Sequence, residues 1–505
     1  MPDHGHESGA PSPGSRLFTQ LTQKLTRDTL RYIPAVVFPA ALSIVAASVF
    51  TRIFAPDEYG RYALVLAAAT VASALLSGWL QQSVLRYLPR YKADGELADF
   101  VVKLVVVLLG VTTPIVLVLV AGHSFIAHHL GSYGRFLVPA VLLVLSESFF
   151  LNLGAVLQAD LRSKTYSLFR ISNAALRLGL ALAFVLLVDR DVVGLIAGAA
   201  AANLLLVLPM LAELRVLGKL PIAHKFIDFG LIRLFAAYGL PMAGWLLCGQ
   251  ILAISDRFML EALRGSAEVG IYSANYNLVR MGFDLISGPI LMASYPLIMT
   301  AWETGQRDRV SEVLTDFTRH YLLAVAPFAT FIAVLGREIV SVVLGSEFHE
   351  GYTIIPFIIA GSAIWGTAMI GHKGLEIAEK TRTLLLLVVV SAVLNIALNF
   401  VFIPRYGYNG AAFATFLSYL AYPVLVYWVT RRFVPWRIPW RSVMRIVAAC
   451  AAVAGILVVV SRLLPQSVPR LLVLILAAAV GTPVYLAVLV WTKELRLSDL
   501  RFRLD

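Results

Sequence analysis

A chain of 505 residues in which 59% of side chains are hydrophobic and only 14% are charged cannot build a water-soluble surface, which takes about a quarter charged residues. With a mean hydropathy of +0.80, most of it must have lipid as its solvent. The formal charge of +12 therefore reports membrane topology rather than a nucleic-acid partner. Cys248 and Cys450 sit in apolar runs without a Cys or His at metal-ligand spacing. That excludes a disulfide framework or zinc site, and no cofactor is expected.

Residues 1–15 are rich in Gly, Pro, Ser and His and lack the apolar core of a signal peptide; they read as a cytoplasmic tail. Next, Leu17, Leu21 and Leu25 alternate with Arg16, Lys24, Arg27 and Arg31. This is either a basic amphipathic helix on the membrane surface or the helical start of the first span.

A helix needs about 20 mostly apolar residues to cross ~30 Å of hydrocarbon. Six such spans are expected at 33–51, 62–84, 101–122, 136–158, 167–188 and 192–212. Six more follow at 234–255, 270–299, 318–335, 353–371, 383–403 and 409–430, and two at 443–461 and 471–491. Prolines 114, 241, 289, 327, 356 and 483 mark kinks or helix starts within them. Counted with Lys103, Arg170, Arg319 and Arg445, which lie within the first turn of their spans, the tails and even-numbered loops hold 30 Lys and Arg, and the odd-numbered loops hold ten. Both termini are then cytoplasmic. The outer loops are too short for a periplasmic domain.

The sequence repeats itself. Glu58-x-Gly60-x-Tyr62 recurs as Glu268-x-Gly270-x-Tyr272, and at the same offset of 210 Leu75, Ser77 and Gly78 match Leu285, Ser287 and Gly288. A looser echo at offset 218 joins Leu157 to Lys164 with Leu375 to Arg382. Six helices per repeat is an even number, so both halves share one orientation. The expected fold is an all-α polytopic bundle of about fourteen helices. Two pseudo-symmetric six-helix lobes, 33–213 and 234–430, flank a linker at 214–233, with a tail at 1–32 and two further helices in 431–505. Residues 306–319, apolar at Val310, Val313, Leu314 and Phe317, read as a surface helix between the halves.

Signs of catalysis are missing. Gly366 to Gly374 approaches a phosphate-binding loop, but it has His before Lys373 and Gly after it, inside a span. His128 and His129 read as a solvated pair. No enzyme activity is expected.

Ionisable groups at membrane depth are costly and carry function by default. Glu147 and Arg177, in adjacent spans, are expected to pair or to couple an ion. On the eighth span Ser273, Asn277, Arg280, Asp284 and Ser287 follow one another by 4, 3, 4 and 3 residues, on one helical face. The second span carries its own stripe of Thr70, Ser73, Ser77 and Gln81. The repeat predicts that both stripes face the interface between halves; interhelical hydrogen bonding is the plainer reading. Asn173, Asn395 and Asn399 read as packing contacts, and Tyr419, Tyr422 and Trp302 as membrane-interface anchors.

The run from Phe50 through Pro56-Asp-Glu-Tyr-Gly-Arg-Tyr62, then Arg86-Tyr-Leu-Pro-Arg90-Tyr, resembles the opening of polysaccharide-transporter flippases. These include the Wzx-type exporters of O-antigen and exopolysaccharide repeat units. Gly270 to Arg280 and Ile286-Ser-Gly-Pro-Ile resemble their second half. The resemblance implies an inner-membrane protein with two lobes around a central cavity, working by alternating access on a polyprenyl-pyrophosphate sugar. Membrane lipids surround it, and polymerase and glycosyltransferase enzymes are the implied partners. Arg280 would then contact the pyrophosphate, restrained by Asp284. Related lipid II flippases carry arginines in helix 1, whereas helix 1 here has no charge before Arg52. A cation-coupled multidrug antiporter of the same superfamily is the other alternative.

Overall fold

The computed structural model describes residues 33–219, 228–303, 305, 307–465 and 467–495. The segment expected to be amphipathic and the ends of both tails lie outside them. Among the described residues the chain forms fifteen α-helices. These are α1 (Ile33–Ile53), α2 (Pro56–Ala93), α3 (Leu97–His129), α4 (Leu137–Ala159), α5 (Ser163–Leu187), α6 (Val193–Glu213), α7 (Phe229–Arg264), α8 (Ser266–Glu303), α9 (Arg307–Val334), α10 (Gly336–Val343), α11 (Ile355–Gly371), α12 (Lys373–Ile377), α13 (Thr381–Thr430), α14 (Trp440–Leu463) and α15 (Arg470–Trp491).

Among the described residues twelve helical segments are long and apolar enough to cross a membrane, and α8, with 38 residues, has the length for a further crossing. The last comes from α13. Fifty residues of straight helix would run about 75 Å, over twice the ~30 Å of hydrocarbon. At Gly407, with φ 55 and ψ −136, the chain instead turns back on itself. The rings of Phe402 and Phe413 lie 5.2 Å apart, and Asn395 Nδ2 donates to Thr415 Oγ1 at 3.5 Å. Fourteen passes result.

Only glycine adopts that backbone readily. A Cβ at Gly407 would stand 2.2 Å from Glu268 Oε2, the atom that accepts the Tyr408 amide at 2.9 Å. Gly407→Ala should therefore cost about 1–3 kcal/mol, read as a lower thermal midpoint in detergent. An unchanged midpoint would remove this role for the glycine.

The repeat is visible in the backbone. Leu161 and Glu379, 218 positions apart, are both left-handed, with φ 60 and 56. Their helix ends carry the same bonds: Leu161 N to Gln158 O and Arg162 N to Leu157 O, against Glu379 N to Glu376 O and Lys380 N to Leu375 O. The two six-helix lobes carry these matching turns, and α14 and α15 pack on α9 through Leu335, Ile446, Val453, Leu457 and Leu489.

Several expectations need correction. α7 starts at Phe229, capped by Asp228, whose side chain accepts the Leu231 amide at 2.9 Å. That bond and the Lys103 ammonium hold the Asp228 carboxyl below its usual range. α7 then continues through Arg257 to Arg264, so Arg257 is not in a loop. The segment after Gln306 is no separate surface helix. It is the first turns of α9, because Val310 and Leu314 are fully buried in the core. Tyr419 and Tyr422 are buried too, sandwiched with Trp365 at ring distances of 4.9 and 4.2 Å, and so cannot anchor at the membrane interface. Gly366 and Gly371 sit against Tyr321 and Trp436, a close-packing role rather than a phosphate loop.

Candidate functional site: a cationic cavity between the lobes

One end of the bundle is shut by backbone contact. Gly60 of α2 lies against Ser266 and Gly270 of α8, and Gly270 against Pro56 and Gly60, so the repeated motif packs on its own copy. Around this contact Arg52 donates to the carbonyls of Val343 and Val342 at 2.8 and 2.9 Å, at the C-terminus of α10 where partial negative charge collects. The Gly345 amide donates to Thr51 Oγ1 at 3.0 Å, and Tyr133 donates to Glu261 Oε1 at 2.6 Å. Each bond joins one lobe to the other.

Beyond this seal α1, α2, α5, α6, α7 and α8 enclose a cavity of about 430 Å³. It is hollow because the facing positions are small: Ala46 and Ala47 on α1, Ala63 and Ala67 on α2, Ala174 and Ala181 on α5. Into it project Arg170, Asn173 and Arg177 of α5, Thr70 of α2, Arg257 of α7 and Asn277 of α8. Arg170, Asn173 and Arg177 are spaced 3 and 4 apart and so share a face.

Arg177 Nη2 lies 3.3 Å from Glu147 Oε1 on α4. The other carboxylate oxygen and Arg177 Nε are buried with no hydrogen-bond partner among the described residues, which leaves polar capacity for water or a ligand. Arg170 has no carboxylate within ion-pair distance among the described residues. Arg257 is held on three sides. It donates to Ala253 O at 2.8 Å, Asp256 Oδ1 at 3.4 Å and Asn277 Oδ1 at 3.2 Å, over the ring of Tyr276 at 4.7 Å. Asp256 is fully buried and also accepts from the Tyr272 hydroxyl and from Thr415 Oγ1 at 3.4 Å. Next to it Ser255 donates to Asn395 at 3.1 Å, and Asn399 to Asn395 at 2.9 Å. Bonding on this scale is what lets a charge remain in an apolar interior.

The stripe on α8 divides along its length. Asn277 stands in the cavity wall, while Ser273 and Ser287 are buried. Arg280 Nε lies 3.6 Å from Asp284 Oδ2, and these side chains are 47% and 53% exposed, a loose pair. The repeat offset of 210 equates Arg280 with Thr70, which lines the cavity. On α2 the stripe turns away from the seam. Ser77 O accepts from Asn152 of α4 at 3.4 Å, Ser73 is buried, and Gln81 borders a small hollow with Gln158 and Arg170 inside the first lobe. The cause is α7, which takes the interlobe face of α2 at this level: Ser83 donates to Phe235 O at 2.9 Å, and Gly239 touches Trp79. Asn173 donates to Asn203 at 2.7 Å while also facing the cavity.

Sequence reasoning missed Arg170, Asp256 and Arg257. The first was readable from its spacing to Arg177; the other two lay just past the point where the seventh apolar window ended. Residues 25–302, more than half the chain, match the polysaccharide biosynthesis protein family. The chain belongs to this family. It is similar to a curated protein of Haloferax volcanii called "Probable low-salt glycan biosynthesis flippase Agl15". That protein is 26% identical over 179 residues, which make up 35% of this chain and 37% of its own length. Among solved structures, the lipid II flippase MurJ in an inward closed conformation superposes with a TM-score of 0.74 at 13% identity, over 91% of this chain and 98% of that one. An inward-facing multidrug resistance MATE family transporter of the MOP superfamily gives 0.66 at 12% identity, over 84% and 98%. At such identities the likeness is one of fold. The family member described here has the fold of flippases and transporters, built as a multi-pass membrane protein.

Proposed function

We propose that the protein is a flippase that moves a polyprenyl-pyrophosphate-linked oligosaccharide from the cytoplasmic to the outer leaflet of the inner membrane by alternating access. The observation that carries this reading is the cavity wall, which holds three arginines, Arg170, Arg177 and Arg257, against only two carboxylates behind it, Glu147 paired with Arg177 and Asp256 with Arg257. A pyrophosphate brings charge that hydrocarbon cannot hydrate, and arginine offers it paired, charge-assisted hydrogen bonds. Arg280, with its exposed and loosely paired guanidinium, extends the cationic path along α8. The excess of Lys and Arg at the other end of the bundle supports cytoplasmic termini, which makes the Gly60 end outward and this conformation one closed to the outside. Lobes over 33–213 and 234–430 would rock about the α2 and α8 seam, with 431–505 riding on the second. Glycosyltransferases and a polymerase would supply and consume the substrate.

A net positive cavity disfavours a cationic drug as cargo, and the uncharged lining of α1, at Pro39, Leu42 and Ser43, separates it from lipid II flippases with arginines there. In proteoliposomes containing a defined pyrophosphate-linked glycan, Arg170→Ala and Arg280→Ala should each slow flipping about tenfold or more, the scale of a lost charge-assisted hydrogen bond. The corresponding Lys variants should retain part of the rate. Undiminished flipping by both Ala variants would sink the reading.

A further inference from the structure

Between Glu379 and Glu494 the sequence contains no acidic residue. Arg431, Arg432, Arg437 and Arg441 crowd into the turn that joins α13 to α14, and all four are exposed. Arg431 lies over the Trp428 ring at 3.7 Å, and from the preceding turn Lys380 lies over Phe433 at 5.4 Å. No carboxylate reaches Arg432, Arg437 or Arg441 among the described residues.

The turn is held firmly. Trp436 is 2% exposed, and its Nε1 donates to Thr318 Oγ1 of α9 at 3.0 Å, while the Ser311 hydroxyl donates to the Pro435 carbonyl. The arginines are therefore presented from a fixed backbone, which lowers the ordering cost of binding. Immediately beside them Trp440, Met444 and Val447 are 66%, 66% and 55% exposed, at helical spacing on one face of α14. Trp440–Leu463 is long and apolar enough to cross a membrane, so that face would lie in hydrocarbon and Arg437 and Arg441 at the level of lipid headgroups.

We propose that the α13–α14 turn is a binding site for the phosphate headgroups of anionic phospholipid. The bare arginines supply the charge complement, and the adjoining apolar stripe argues for lipid, because a soluble acidic partner would leave Trp440 and Met444 without a matching surface. None of these residues lines the cavity, so this site is separate from the one proposed for substrate.

The full chain would be reconstituted in vesicles of phosphatidylcholine mixed with brominated phosphatidylglycerol or brominated phosphatidylcholine, and tryptophan quenching measured. The share lost in Trp440→Phe reports this face. That share should favour phosphatidylglycerol about tenfold or more, given the attraction of each basic side chain to an anionic surface. The preference should vanish in Arg432→Gln/Arg437→Gln/Arg441→Gln, persist in the corresponding triple Lys variant, and survive Lys164→Gln on α5. Raising the salt on the unaltered protein should weaken it as well, which tests the idea even if the triple variant fails to fold. Equal quenching by the two lipids, or a preference unmoved by both the triple Gln change and salt, overturns the proposal. Flipping is not read, so this outcome is independent of the transport reading.

Discussion

Gly60→Ala should stop flipping and hold the protein open at its Gly60 end. A Cβ there would stand 1.9 Å from Ser266 O and 2.8 Å from Gly270 N. Both are backbone atoms and cannot rotate away. Overpacking of this kind costs about 1–3 kcal/mol, and only the closed state bears it, so the population shifts several-fold to more than a hundredfold toward the open one. Gly270→Ala should do the same, since its Cβ would meet Pro56 O at 1.9 Å. In a cysteine-free background carrying Thr70→Cys in the cavity wall, a membrane-impermeant thiol reagent added from the Gly60 side should label either Ala variant faster than its Gly parent. Normal flipping together with unchanged labelling would falsify the seal.

The second large effect is expected at Asp256 and Arg257. Arg257→Gln leaves Asp256 buried without its cation, a loss of about 3–5 kcal/mol that should appear as a sharply lower thermal midpoint. Asp256→Asn combined with Arg257→Gln removes the uncompensated charge and should recover most of that stability. It should not recover flipping, because the cavity then lacks one of its three arginines. A stable Arg257→Gln variant would show that the pair does not matter to folding, and a double variant that flips at the full rate would leave Arg257 a structural residue alone.

The passes were legible because lipid imposes a simple rule: each needs about 20 apolar residues with its backbone satisfied internally. The two-lobed plan was legible because Glu58-x-Gly60-x-Tyr62 and its copy survived in register. The site was only partly so. Arg177, Glu147 and Asn277 stood out as polar groups at depth, whereas Arg257 sat where the apolar run ended and was assigned to water. Tyr419 and Tyr422 misled for a related reason: an aromatic with a hydroxyl suits the membrane interface and a packed interior equally well.

The sequence by itself determined the solvent, the fourteen crossings, the duplication and the face on which each polar residue lies along its helix, since all of these depend on local composition and on the period of one helix. Which face looks at what was decided only by the tertiary structure. Thr70 and Ser77 belong to one stripe on α2, but one meets the cavity and the other meets Asn152, because past Thr70, at Trp79 and Ser83, α7 takes the interlobe face of α2. The seal shows the same division. Two glycines 210 residues apart are in sequence only matching members of a repeat, and become a closure when packing sets their backbones in contact, where no other residue leaves room.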